Sequence, residues 1–90
     1  MKKRVVITGL GILASNGQGK EEYWQALEEG KVGYKPVTLF DPAQFAVNQA
    51  GEISDFDAKI YMGQKGLRNL DRSTKLLVSA GKLAIDDSKF

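Results

Sequence analysis

Cysteine and histidine are both absent from this chain of 90 residues. Without cysteine the chain offers no disulfide, no thiolate metal ligand and no thiol nucleophile, and without histidine it lacks the commonest general base. Carboxylates and lysines are present, but no motif in the sequence pairs them into an acid–base site. We therefore expect no catalytic residue, no metal site and no cofactor-binding site within these residues.

Strongly basic stretches and long apolar runs are missing as well. The net charge is +2, and the basic residues are spread along the chain rather than massed in a stripe, which argues against a nucleic-acid-binding module. No apolar run approaches the roughly 20 residues that cross a membrane. We expect a protein of the cytoplasm whose partners include neither nucleic acid nor membrane.

The N-terminus has the outline of a signal peptide, because the basic residues 1–4 (MKKR) precede the mainly apolar residues 5–14. Glycines at positions 9 and 11 interrupt the apolar run, and no small-residue cleavage site follows. The β-branched residues from Val5 to Ile7 favour a different interpretation, a strand over residues 4–8 that is covered on both faces of a sheet.

A glycine-rich segment follows this predicted strand. Residues 9–14 (GLGILA) match the fingerprint of dinucleotide-binding proteins. That fingerprint requires a helix that begins inside the motif, whereas the helical period starts only at Lys20. No second strand ending in an acidic residue follows at the required distance, so we interpret the segment as a glycine turn and rank a nucleotide-binding domain far behind the hypotheses below.

Two helices have clear signals. The first covers residues 20–29 and ends at Gly30. The second is capped by Asp71 and runs to about Ser88. The small residues 79–81 predict that another stretch of backbone passes close to the second helix. Its predicted apolar stripe consists of Leu76, Leu77, Ala80, Leu83 and Ala84.

The middle of the chain, residues 31–53, has no sustained helical or strand period. Asp41 and Pro42 predict one helical turn, and Asp55 or Asp57 is predicted to cap a short turn that runs to Met62. One strand and two helices do not close a core. We therefore expect the sheet neighbours of residues 4–8 to lie beyond Phe90.

Several segments, in order and at matching spacing, resemble the elongating β-ketoacyl-acyl-carrier-protein synthases. The pair Tyr23-Trp24, followed by Gly30, is similar to the first helix of that family. The other matching segments are residues 4–11 (RVVITGLG), 40–41 (FD), 50–57 (AGEISDFD) and 70–74 (LDRST).

This resemblance implies an α/β thiolase-like fold, a mixed sheet with layered helices, that is incomplete in this chain. Residues 1–90 would form the N-terminal portion of its first half, and the complete protein would be a homodimer or a heterodimer. In the family, a cysteine takes an acyl group from a carrier-protein thioester, and two histidines assist the decarboxylative condensation with a malonyl thioester. These residues lie downstream in the family, so the resemblance assigns no catalytic residue here.

The resemblance also implies one binding surface. In this family, basic residues just before the helix that begins near Asp71 bind the acidic acyl carrier protein, and Lys65 and Arg68 occupy two of those positions. A third position, usually basic, is Asn69 here. Asn69 weakens the basic patch, and from the residues alone Lys65 and Arg68 are better explained as solvated loop charges.

Two positions depart from the fatty-acid enzymes. Asn16-Gly17 replaces their common proline–glycine pair and is more similar to polyketide ketosynthases and to their chain-length-factor partners, which lack the nucleophilic cysteine. Two hypotheses therefore stay open, a condensing enzyme and a non-catalytic chain-length-factor-like subunit. Lys89 stands where a helix-ending glycine is usual, which predicts a different end for the last helix.

Overall fold

The computed structural model describes residues 2–89, which form two compact units. Unit 1 consists of residues 2–11 and 57–89, and unit 2 of residues 12–56. The elements in chain order are β1 (Leu13–Ala14), β2 (Gly17–Gln18), α1 (Lys20–Glu29), β3 (Lys35–Pro36), β4 (Gln49–Ala50), α2 (Ala58–Met62) and α3 (Arg72–Ser88).

In unit 2, the glycine-rich segment folds into a hairpin that leads directly into α1. Strands β1 and β2 pair antiparallel around a two-residue turn, and the Gly19 N–H donates to the Ile12 carbonyl at 2.8 Å. Helix α1 begins at Lys20 and ends with Gly30 in the left-handed conformation (φ 69°), both as predicted. The helix thus starts after the glycine motif, in contrast to the dinucleotide-binding arrangement.

The rest of unit 2 is a wide loop closed by a second short hairpin, in which β3 pairs antiparallel with β4. The carboxylate of Glu52 accepts hydrogen bonds from the backbone N–H groups of Thr38 (2.6 Å) and Leu39 (3.1 Å) and so holds the loop beside β4. This region shows no period in the sequence because strands of two residues are too short for one.

The helical turn predicted at Asp41 and Pro42 is a single tight turn instead. Asp41 Oδ1 accepts from the Ala43 N–H at 3.0 Å, as a capping carboxylate does, and the Phe45 N–H donates to the Pro42 carbonyl at 2.9 Å. The chain does not continue as a helix after this bond. The rings of Phe40 and Phe45 then meet edge to face, with their centroids 5.9 Å apart.

Unit 1 contains α2 and α3, which pack against each other. Asp57, one of the two predicted caps, accepts from the Lys59 N–H at 3.0 Å, and Asp71 accepts from the Thr74 N–H at 2.7 Å. The capping carboxylates therefore fix where each helix begins, as the sequence predicted.

The packed face of α3 differs from the predicted stripe at one position. Leu77 is 75% exposed, whereas Ser79 is fully buried and its hydroxyl has no hydrogen-bond partner among residues 2–89. Leu76, Ala80 and Leu83 are partly buried. The helical period predicted which side of α3 is packed. The most buried position on that side is a small residue, Ser79, because only a small side chain lets a neighbouring segment pack closely against the helix.

The backbone that passes close to α3 is the glycine segment of unit 1. A Cβ added at Gly11 would lie 2.6 Å from the backbone nitrogen of Ala84 and closer still to the Ala80 carbonyl oxygen. The Leu10 N–H donates to the Asp87 carboxylate at 2.9 Å. The prediction of close backbone contact from residues 79–81 is therefore confirmed at Ala80, whereas Gly81 itself has open space around it.

The strand predicted over residues 4–8 is absent from the described structure. Val5, Val6 and Ile7 are 93%, 76% and 82% exposed and belong to no strand. A strand exists only as part of a hydrogen-bonded ladder, and no segment of residues 2–89 pairs with this one.

The last turn of α3 also differs from expectation. Lys89 adopts the left-handed conformation (φ 58°) that a glycine usually supplies, and its N–H donates to the Asp86 carbonyl at 3.2 Å. The predicted different ending is therefore wrong. On the exposed side of α3, Lys82 Nζ lies 2.8 Å from Asp86 Oδ1, four residues further along the helix. No helix among residues 2–89 is long and apolar enough to cross a membrane.

Candidate functional site

The predicted binding residues lie on the connector between α2 and α3 in unit 1, residues 63–69. Lys65 and Arg68 are both exposed, and neither forms an ion pair or hydrogen bond with any residue from 2 to 89. Between them, Leu67 is partly buried, and its carbonyl accepts from the Leu70 N–H at 3.2 Å. The turn is thus anchored by an apolar side chain while the two cations extend toward solvent.

The segment around the connector has an excess of basic side chains. Residues 57–75 contain five basic side chains and only two carboxylates, Asp57 and Asp71. Both carboxylates accept backbone N–H groups at the start of a helix. Hydrogen bonds from Thr74 hold the pKa of Asp71 below its ordinary value of 3.8, so this group is ionised at neutral pH. These two carboxylates accept hydrogen bonds from backbone N–H groups, and neither carboxylate forms an ion pair with Lys65 or Arg68.

A concave region lies within unit 2 and has a volume of about 220 Å³. Lys31 and Lys35 contribute positive charge to its lining, whereas Glu22 and Asp55 contribute negative charge. Asp55 Oδ1 already accepts from Gln18 Nε2 at 2.9 Å. The mixed charge gives this cleft no preference for one class of ligand.

The chain lacks two residue types that often act in catalysis and metal binding. It contains no cysteine and no histidine. Among the residues that the structure describes, no group of three or more acidic side chains could hold a metal ion. Of the regions described above, the connector with Lys65 and Arg68 is the candidate for a binding surface.

Comparison with known proteins decides the family. The model of the β-ketoacyl synthase N-terminal domain matches residues 2–90, almost the whole chain. The chain belongs to this family.

Curated relatives include both fatty-acid and polyketide proteins. The chain is 42% identical over 88 residues to 3-oxoacyl-(acyl-carrier-protein) synthase 2 of Synechocystis, a match that covers 98% of this chain and 21% of the relative. It is 40% identical over 85 residues to the actinorhodin polyketide putative β-ketoacyl synthase 2 of Streptomyces coelicolor, covering 94% of this chain and 21% of the relative. The chain thus spans about a fifth of the length of these relatives.

A solved structure gives the same result for the fold. The ishigamide ketosynthase/chain length factor superposes with a TM-score of 0.87 at 35% identity, over 94% of this chain and 21% of that one. The predicted fold class, part of an α/β thiolase-like fold, is confirmed.

The β-ketoacyl synthase motifs occupy definite structural positions. Residues 9–11 contact α3, Glu52 braces the loop at Thr38, and Asp71 caps α3. The role of Glu52 was missed from the sequence, because a carboxylate that binds backbone N–H groups 13 and 14 residues earlier leaves no local spacing signal. The assignment of Lys65 and Arg68 to a binding surface rests on their position before Asp71 and stays a prediction.

Proposed function

We propose that this chain is part of a β-ketoacyl synthase that joins an acyl unit to a malonyl unit on a carrier protein, in cytoplasmic fatty-acid or polyketide biosynthesis. Residues 1–90 would be the N-terminal portion of the first half of the thiolase-like domain in a dimeric protein. The family membership and the names of the relatives support this proposal.

The reaction makes one carbon–carbon bond and releases carbon dioxide. A cysteine thiolate first takes the acyl group and releases the carrier thiol. Malonyl-carrier protein then loses carbon dioxide, and the resulting enolate attacks the acyl thioester and expels the cysteine thiolate, which leaves a 3-oxoacyl-carrier protein. Residues 1–90 contain no cysteine or histidine, so they would contribute the scaffold and a binding surface to this reaction but not the groups that react.

A non-catalytic subunit of chain-length-factor type is the second candidate. Its support is the mixture of relatives, which includes the tetracenomycin polyketide synthase ketoacyl synthase β subunit, 42% identical over 84 residues, and the ishigamide ketosynthase/chain length factor. Purified natural full-length protein, assayed alone with acyl- and malonyl-carrier protein, separates the two. Condensation by this protein alone favours the enzyme. Where a homologous subunit must be added, an acyl group found by mass spectrometry on a cysteine of this protein also favours the enzyme, whereas one found only on the added subunit favours the second candidate.

The observation that carries the binding role is the unpaired charge at Lys65 and Arg68. Two exposed cations without an internal counter-ion need not break an existing ion pair before they meet an acidic surface. Complementary charge of this kind accelerates association and orients the partner. We therefore propose acyl carrier protein, which is acidic, as the molecule that binds here.

Charge reversal tests this role in the natural full-length protein. Lys65→Glu combined with Arg68→Glu should weaken binding of acyl carrier protein about tenfold or more at low salt, because attraction becomes repulsion. Surface plasmon resonance over a range of salt concentrations measures this effect, which should shrink as salt rises.

The matched control is Lys2→Glu combined with Lys3→Glu, which makes the same change in net charge at two exposed residues distant in sequence. This control should retain most of the affinity. Equal affinity of the Lys65/Arg68 variant and the unmodified protein at low salt would remove these two residues from the binding surface.

A further inference from the structure

Helix α2, which immediately precedes the connector, has a packed side and an exposed side. Ala58 is buried, and Tyr61 and Met62 are partly buried, whereas Lys59 and Ile60 are exposed. Ala58, Tyr61 and Met62 are three and four residues apart, so they lie on one side of the helix. Helix α2 packs against α3. Lys59 and Ile60 therefore lie on the side of α2 that faces away from this packing.

Ile60 differs from the other large apolar side chains nearby. It is 73% exposed, whereas Leu67, Leu70 and Leu76 are each partly buried. No other large apolar side chain from residue 57 to residue 76 is exposed. This isoleucine thus stands alone in a segment whose remaining exposed surface is mainly basic and polar.

Charge by itself explains only part of a binding surface. Complementary charges mainly set the rate and orientation of encounter, whereas a complex that persists buries an apolar centre inside a polar rim. The exposed cations Lys59, Lys65 and Arg68 supply such a rim. Ile60 supplies the one exposed large apolar group that adjoins it in sequence.

We propose that the binding surface extends from the connector onto α2, with Ile60 as its apolar contact and Lys59 as an additional cation. The proposal rests on the proposed function, since it assigns the same acidic acyl carrier protein to this surface. Residues 57–75 contain five basic and two acidic side chains, and this excess of positive charge favours a negatively charged partner.

The salt dependence of binding separates the apolar contact from the charged one. In the natural full-length protein, Ile60→Ser should weaken binding of acyl carrier protein about tenfold at both low and high salt, because the lost apolar burial is not screened. Ile60→Val should stay within about threefold of the unmodified protein, since most of the apolar surface remains. Lys59→Glu should weaken binding mainly at low salt.

The matched control makes the same chemical change on another exposed isoleucine. Ile85 lies on α3 and is 58% exposed, so Ile85→Ser should leave the affinity unchanged. Equal losses from Ile60→Ser and Ile85→Ser would overturn the proposal, because the effect would then not be specific to this surface.

Hydrogen exchange of the unmodified full-length protein provides a test that needs no variant. Addition of acyl carrier protein should slow exchange in a peptide covering residues 57–64 as well as in one covering residues 64–70. Slowing confined to residues 64–70 would overturn the α2 extension and leave the proposed function intact, whereas no slowing in either peptide would remove both. A third outcome is also possible: residues 57–64 exchange slowly whether or not the carrier is present, and Ile60→Ser lowers the Tm. This outcome would show that another part of the protein covers Ile60, and it would also overturn the extension.

Discussion

At the scale of single residues, Asp71 combines a structural and an electrostatic role. Its carboxylate accepts hydrogen bonds from Thr74 at the start of α3, and these bonds lower its pKa below 3.8. A carboxyl group whose pKa is lower in the folded state stabilises the fold most where it is ionised in both states. The contribution is therefore complete above the ordinary carboxyl pKa and is lost as the pH falls through the lowered, folded-state value.

Asparagine separates the cap from its charge. Asn is as good a cap as Asp but does not titrate, so Asp71→Asn should retain most of the stability at neutral pH and Asp71→Ala should lose it. The Tm difference between the unmodified protein and Asp71→Ala should shrink below about pH 4, whereas that between Asp71→Asn and Asp71→Ala should stay constant. Thermal unfolding followed by circular dichroism across pH gives both differences, and a constant difference for the unmodified protein would contradict the titration.

Caps of this kind were predictable because their signals are local. Asp57, Asp71 and Gly30 each act within three or four residues of their position, so the sequence around them was sufficient. Leu77 and Lys89 were not predictable in the same way. Which face of α3 is buried depends on residues 9–11 and on α2, and nothing in the last turn indicates that a lysine accepts the left-handed conformation.

At the scale of elements, the glycine segment of unit 1 brings its backbone directly against the backbone of α3. The backbone of Gly9 and Gly11 lies against the backbone of α3 at Ala80 and Ala84, and Asp87 binds the Leu10 N–H between them. Side chains larger than hydrogen at the two glycines would collide with backbone atoms, which cannot rotate away. The small residues of α3 predicted such an approach, but not which segment makes it.

Two glycine-to-alanine substitutions test this contact with identical chemistry. Gly11→Ala should destabilise the full-length protein by about 3 kcal/mol, because overpacking forces the segment and α3 apart. Gly81→Ala adds the same methyl group to α3 where nothing lies within 4 Å, and should stabilise the helix by up to about 1 kcal/mol. Urea unfolding measures both, and equal effects of the two substitutions would show that the glycine segment does not pack on α3.

The short strands are the elements that the sequence did not predict. Each of β1 to β4 contains two residues, and their pairing is defined by turns and by side chains such as Glu52 rather than by alternating hydrophobicity. The helices were predicted nearly to the residue because ten and 17 residues show a period. The hydrophobic period therefore predicted the long helices but not the two-residue strands.

At the scale of the whole molecule, apolar surface greatly exceeds what the described residues bury. The buried apolar residues are the small Ala26 and Ala58, whereas many large apolar side chains are exposed. An exposed apolar surface of this extent is typical of a surface that other protein covers. The superposition on 21% of a ketosynthase/chain length factor chain is consistent with that interpretation. Apart from Ile60, which is proposed above to contact the carrier protein, the most exposed of these side chains, at 70% or more, are Val5, Val6, Ile7, Tyr34, Val47 and Leu77.

Residues 5–7 give the sharpest test of this interpretation. Their β-branched sequence predicts a strand covered on both faces, yet they are exposed and unpaired within residues 2–89. In the natural full-length protein we expect their amides to exchange hydrogen at least about a hundredfold more slowly than in an unstructured peptide, because a sheet would bind their N–H groups. The amides of Lys2 and Lys3, which precede the predicted strand, should exchange quickly and serve as the internal control. Fast exchange at Val5, Val6 and Ile7 as well would mean that this segment joins no sheet, and the strand predicted from the sequence would then be wrong for the complete protein too.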